Sequence, residues 1–141
     1  MERLPNHPYF GTKTAKGYEW MTTTQIAEEA KHLASGMMKL DLVPQVEGEG
    51  QQWRFLGIQS KNRKEWLILH LANMHIGTTT VGLYDTLGQD AMRFVIDQTE
   101  MTSVALSQDL LKAFLTLKMS DDNLDEGERK MHRMKNVITF E

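Results

Sequence analysis

Cysteine is absent from this 141-residue sequence, and only three prolines interrupt it. Without thiols there is no disulfide framework, no thiolate nucleophile and no Cys-based metal site. Such usage fits a reducing compartment, so the expectation is an intracellular protein, cytoplasmic or mitochondrial. A surplus of positive charge is missing too. The formal charge is −3 and the basic residues are scattered, which leaves no electrostatic footprint for nucleic acid. The opening MERLPNHPYF lacks the apolar stretch of a secretory signal. The longest apolar run, 66–76, contains His70, Asn73 and His75 and is too short and too polar to span a bilayer.

What is present is ordinary globular material, 40% hydrophobic and 25% charged, with a length that predicts one domain and a real core. Residues 1–21, punctuated by Pro5, Pro8, Gly11 and Gly17, read as an extended amino-terminal arm. From Thr22 onward the pattern predicts a single α/β unit over 22–141. Thr22 to Thr24 offer capping hydroxyls, and Ile26, Ala30, Leu33, Ala34 and Met37 follow on one helical face. Residues 44–52, PQVEGEGQQ, read as a polar loop, and 53–59 as a strand. Asn62, with Glu65 three residues on, has the spacing of a capping box for a helix that ends at Gly77. A strand over 78–84 and a helix over 89–99, with Met92, Phe94, Val95 and Ile96 as apolar contacts, come next. A strand over 103–106, a helix over 109–117, an acidic loop 121–128 and a strand over 136–140 complete the chain. Short apolar strands alternating with helices predict a parallel βαβ sheet flanked by helices.

Several chemistries fail on inspection. The first strand-to-helix turn, Ser60-Lys61-Asn62-Arg63, has no glycine, so neither a dinucleotide fingerprint nor a phosphate loop sits there. No histidine pair has metalloprotease spacing, and His70 and His75 diverge by more than a quarter turn on their helix. Met37, Met38, Met74, Met92 and Met101 fall inside predicted elements, where methionine fills irregular core space. The basic stretch 129–135 reads as the lead-in to a strand, with a phosphate contact from Arg129, Lys130 or Arg133 as the alternative. No catalytic constellation is visible.

One turn is particular. The run Leu83-Tyr84-Asp85-Thr86-Leu87-Gly88 follows a predicted strand, at the end where open α/β sheets place their ligands. Asp85 or Thr86 as a cap for the next helix is the plainer reading. Together with Ser60, Asn62, Arg63, Glu65 and Trp66 upstream, this run resembles the amino-terminal region of long-chain fatty-acid–CoA ligases of the adenylate-forming superfamily. Residues 57–100 carry the resemblance. Pro8 to Lys13, with Lys13 in place of a usual arginine, and Gly17 to Trp20 extend it upstream. It weakens over 44–52 and beyond residue 107.

The resemblance implies the start of the large amino-terminal domain of such an enzyme. The intact enzyme would use ATP, Mg²⁺ and coenzyme A to make an acyl-adenylate and then an acyl-CoA, near a membrane surface. The family's Pro-Lys phosphate loop and catalytic lysine have no counterpart here, so the chain alone is expected to bind no cofactor and to depend on the remainder of the ligase. In the same terms Asn62, Arg63, Glu65, Trp66, Tyr84, Asp85, Thr86, Leu87 and Gly88 are scaffold signature residues. Arg63 would pair with Glu65 or a neighbouring carboxylate, and Trp66 would be core. Lys112 falls where some members place a basic residue near the coenzyme A phosphate. A degenerate ligase-like domain, serving as a structural or binding subunit of a larger assembly, is the competing expectation. A start at Met1 inside the matched segment favours that short-chain reading. A free nucleotide-binding domain has only the architecture in its favour.

Overall fold

Thr22 starts the first helix by the chemistry its sequence promises. Its hydroxyl accepts from the Gln25 amide at 3.2 Å while the Gln25 side chain accepts from the Thr22 amide at 2.9 Å, a reciprocal capping box. The computed structural model describes residues 6–84 and 86–141. Within them α1 (Thr23–Lys39) buries Ile26, Ala30, Ala34 and Met37, the stripe expected from their spacing. Ahead of it, β1 (Pro8–Thr14) and β2 (Gly17–Thr22) pair antiparallel, so the described part of the amino-terminal arm folds back on itself as a hairpin, while Pro5 lies outside the described residues.

The predicted loop at 44–52 is instead a second small hairpin, β3 (Val46–Gly48) with β4 (Gln51–Trp53). Gly50, at φ 75°, makes the reversal that a side chain would strain. Three-residue polar strands show no alternation, which is why the sequence pattern reads as loop. The Trp53 indole donates to the Gly48 carbonyl at 3.0 Å and its ring stacks on Phe55, fastening this hairpin to the main sheet.

That sheet has four parallel strands in the order β6-β5-β7-β8: β5 (Phe55–Gln59), β6 (Thr79–Gly82), β7 (Ser103–Ser107) and β8 (Asn136–Phe140). Helices α2 (Lys64–His75), α3 (Gln89–Thr99) and α4 (Gln108–Asp122) connect them in turn. The pleat sends alternate residues to opposite faces. Leu56, Ile58 and Ala105 therefore meet α1 and α2, whereas Val104 and Leu106 meet α3 and α4 in a second core with Leu83, Met101 and Phe114. At Gly57 a Cβ would stand 2.9 Å from Met101 Sδ and 3.0 Å from Leu83 Cδ1, so only glycine lets this part of the sheet close.

Some expected core residues lie outside. Phe94 is 62% exposed, because Met92 and Ile96 turn to the sheet from the opposite side of α3. Met38 and Met74 are likewise exposed. Asn62 does not cap α2. The helix begins one residue later, with Arg63 in the capping position and no side-chain cap bond. The acidic 121–128 segment is partly helical, since α4 runs on to Asp122. The buried carboxylate of Asp121 accepts from the amides of Lys130 and Met131.

Candidate functional site

The carboxyl ends of the parallel strands gather the residues singled out in the sequence. The chain leaves β5 toward the α1/α2 face and leaves β7 toward the α3/α4 face. The point between those two strands is a topological switch, where a crevice opens because successive connections diverge. Lys61, Arg63, Ser107, Asp109 and Leu110 line a crevice of about 150 Å³ there. Across Lys61 a wider cleft of about 550 Å³ runs between the ends of β5 and β6. Ser60, Asn62, Trp66, Gly82 and Tyr84 are among its walls.

So the two sequence runs meet in space. Ser60, Asn62 and Trp66 from the first face Tyr84 from the second. Tyr84 is 67% exposed, and its ring folds back to 3.3 Å from where a Cβ on Gly82 would be. Gly82 thus gives that ring its resting place. The Leu87 amide donates to the Tyr84 carbonyl at 2.9 Å and closes the turn. Gly88 takes the capping position of α3 with extended backbone, so the cap belongs to it and not to Thr86, which is exposed. Asp85 lies outside the described residues. Trp66 is only partly buried: it packs against the α1/α2 core and tilts over His70 at 5.5 Å.

Arg63 is the best-tethered charge of the group. Its Nε donates to Glu65 Oε2 at 2.6 Å, its Nη2 donates to the Glu141 carbonyl, and its guanidinium sits 5.1 Å from the centre of the Phe140 ring. One side chain therefore ties the start of α2 to the end of β8. Burial pushes the Glu65 carboxyl up, but the Arg63 hydrogen bond and charge outweigh it and hold the group below its ordinary range. A hydrogen bond from Ser107 holds Asp109 low as well, against slight desolvation and helped by Lys61 and Arg63.

Cations and carboxylates in the crevice are thus largely matched to one another. A triphosphate cradle needs backbone amides converging from a glycine-rich turn. The turns here are Ser60-Lys61-Asn62-Arg63 and Ser107-Gln108-Asp109, the second with a carboxylate in it. Among the described residues no three His, Asp or Glu side chains come together as metal ligands. These residues do not fit a nucleotide–metal complex by themselves, and no catalytic step is assigned to them.

Sequence reading missed Ser107 and Asp109. The helix was expected to start at Asp109 and the strand to stop at Leu106, which hid their place at a strand end. The basic residues of 129–135 are occupied elsewhere. Arg129 donates to the Leu124 carbonyl, Lys130 pairs with Asp97 at 3.0 Å, and Arg133 pairs with Glu100 at 2.6 Å. Lys112 stands exposed on α4, one turn beyond Asp109, and is not among the residues that line the crevice.

Known proteins share both sequence and fold with this chain. Long-chain-fatty-acid–CoA ligase 6 of Rattus norvegicus is 32% identical over 104 residues, 73% of this chain and 14% of that protein. A peroxisomal acyl-CoA ligase 891 of Penicillium roqueforti is 27% identical over 136 residues, 90% of this chain and 19% of that protein. The chain thus spans less than a fifth of the length of either. Among solved structures, the A-PCP didomain of carboxylic acid reductase from Segniliparus rugosus in complex with AMP superposes with a TM-score of 0.68. It is 16% identical, with 96% of this chain and 18% of that chain covered. Apo MatB from Rhodopseudomonas palustris superposes at 0.65 with 14% identity, covering 96% and 23%. No helix among the described residues is long and apolar enough to cross a membrane. The model of the AMP-binding enzyme family matches residues 1–139, every element but the last residue of β8, and the chain belongs to that family.

Proposed function

We propose that these 141 residues are a scaffold portion of a long-chain fatty-acid–CoA ligase and are not catalytic alone. In the complete enzyme a fatty-acid carboxylate would displace pyrophosphate from the α-phosphorus of ATP to give an acyl-adenylate, and the thiol of coenzyme A would then lose its proton and displace AMP from the acyl carbon to give the acyl-CoA. One observation carries the reading: the family match runs through nearly the whole chain, yet the chain spans only 14% and 19% of the two ligases compared above. The parallel sheet and its matched charges supply shape and rigidity, and the remainder of the ligase supplies the groups that act on phosphate. Lys112, exposed on α4, is the residue assigned to a coenzyme A phosphate in this reading, and the long-chain substrate places the enzyme beside a membrane.

ATP–pyrophosphate exchange with palmitate and Mg²⁺ tests the claim on the purified chain. The expected result is exchange at background. Turnover above background would make the chain an autonomous enzyme and overturn the reading. The denatured intact mass from the native source separates the two remaining arrangements. A mass several times 16.2 kDa identifies a complete ligase that carries this portion. A mass near 16.2 kDa identifies a short ligase-like subunit instead, and then the function is structural.

A further inference from the structure

One fully buried amide on α2 is only half used. Asn73 Nδ2 donates to Thr80 Oγ1 at 2.8 Å, whereas Asn73 Oδ1 is buried without a hydrogen-bond partner. The same Thr80 oxygen stands 3.0 Å from His70 Nδ1. His70 and Asn73 are three residues apart on α2 and so share a face. Thr80 lies opposite Leu56 in the register of β6 with β5, on the side of the sheet that α2 covers. A line of contacts therefore runs outward from the core: Asn73, Thr80, His70, and then Trp66, whose ring is 5.5 Å from the imidazole. Trp66 is a wall of the 550 Å³ cleft.

Counting protons gives this line a direction. A hydroxyl has one proton to donate and two lone pairs to accept with. Asn73 donates into Thr80 Oγ1, so the Thr80 proton is left for His70 Nδ1. That nitrogen must then be bare, and a neutral imidazole carries its proton on Nε2. An imidazolium donates from both nitrogens. With a charged His70 the Nδ1 proton points at Thr80, and the hydroxyl needs a new acceptor. Asn73 Oδ1 is that acceptor. A half-turn of the amide brings it to Thr80, and every bond of the line then runs the other way. Asparagine is suited to this, because one end of its amide accepts and the other donates. A charged imidazole is also drawn to the indole face by the ring quadrupole.

The surroundings leave His70 to act alone. Strands β5 and β6, which α2 covers, contain no titratable side chain. On α1, Glu29 and His32 lie with Glu65 around a groove on another face of α2, and Glu28, Lys31 and Lys39 make no ion pair with His70. On α2 itself Glu65 pairs with Arg63, and Lys64 and His75 occupy the two ends of the helix. Tyr84 faces Trp66 across the cleft.

We propose that His70, Thr80 and Asn73 form a proton-driven switch: a proton gained at His70 reverses the hydrogen-bond line, turns the Asn73 amide and draws the imidazole onto Trp66 at the cleft wall. The switch does not depend on the ligase reading. Nitrogen-15 spectra of the labelled chain between pH 8 and pH 5, the interval in which histidine changes charge, test it. At pH 8 the expected form of His70 is the Nε2–H tautomer. On acidification the Asn73 side-chain amide and the Trp66 indole Nε1–H are expected to shift with the midpoint of His70, while Trp20 and Trp53 do not follow it. His70→Gln is expected to abolish both shifts. Thr80→Val removes the hydroxyl and keeps the shape; the Asn73 shift is expected to be lost and the Trp66 shift kept. The spectra of the parent chain decide the matter even where a variant fails to fold. An Nδ1–H tautomer at pH 8, an Asn73 amide or a Trp66 indole indifferent to His70, or an Asn73 shift that survives in Thr80→Val would each overturn the proposal.

Discussion

Arg63 shows how one residue can join sequence motif, fold and stability. The resemblance implied a pairing with Glu65 or a neighbouring carboxylate, and the pair with Glu65 is formed; its reach to Phe140 and Glu141 was not legible, because those contacts span 77 and 78 residues of sequence. The Asn62 cap was misread for a local reason: a polar residue one position too early satisfies the same spacing rule. The Glu65 carboxyl, held below its ordinary value of 4.5, makes the pair's contribution dependent on pH. A lowered native pKa means the unfolded state binds the proton more readily, so the stabilisation is fully present above about pH 4.5 and is lost as pH falls through the native value. Glu65→Gln is therefore expected to lower the urea midpoint at pH 7, with the difference from the parent shrinking as the pH falls through the native value. The change should be modest, since both partners are partly exposed and solvent screens the pair. A difference that stays constant from pH 7 down to the acid limit of folding would show that the ion pair is not its source.

Elements were readable in proportion to the periodicity they carry. The helix over 89–99 and the strand over 136–140 were placed at their observed bounds, because each has a clear apolar pattern between turn residues. The parallel sheet followed from alternation alone. What the sequence hid was above all the β3–β4 hairpin, whose three-residue strands are too short to show alternation and which Trp53 fastens by its bond to Gly48 and its stacking on Phe55. At the opposite extreme stands α1, where local chemistry suffices. Its capping box joins Thr22 and Gln25 reciprocally, so Thr22→Ala removes both the hydroxyl acceptor and the geometry that holds the Gln25 side chain. The expected cost is about 1 kcal/mol, read as a lower urea midpoint with an unchanged m-value. Thr22→Ser keeps the hydroxyl and should recover most of it. A serine variant no better than alanine would place the role of Thr22 in β2 and not in the cap.

At the scale of the whole molecule the two cores are not independent. Leu56 and Ile58 on β5 serve the α1/α2 face, while Gly57 between them packs under Met101 and Leu83 of the other. On β7, Ala105 belongs to the first core and its neighbours Val104 and Leu106 to the second. Because the same backbone carries both, loosening either face disturbs the register that the other needs. The chain is accordingly expected to unfold in one transition, with far-UV circular dichroism and tryptophan fluorescence following the same urea curve. Trp66 reports on the α1/α2 core and Trp53 on the hairpin beside β5, so the fluorescence samples regions far apart in sequence. Disagreement between the probes would mean that one helical layer melts from the sheet before the other. The strands β5 and β7 that the two cores share would then not be enough to make this chain a cooperative unit.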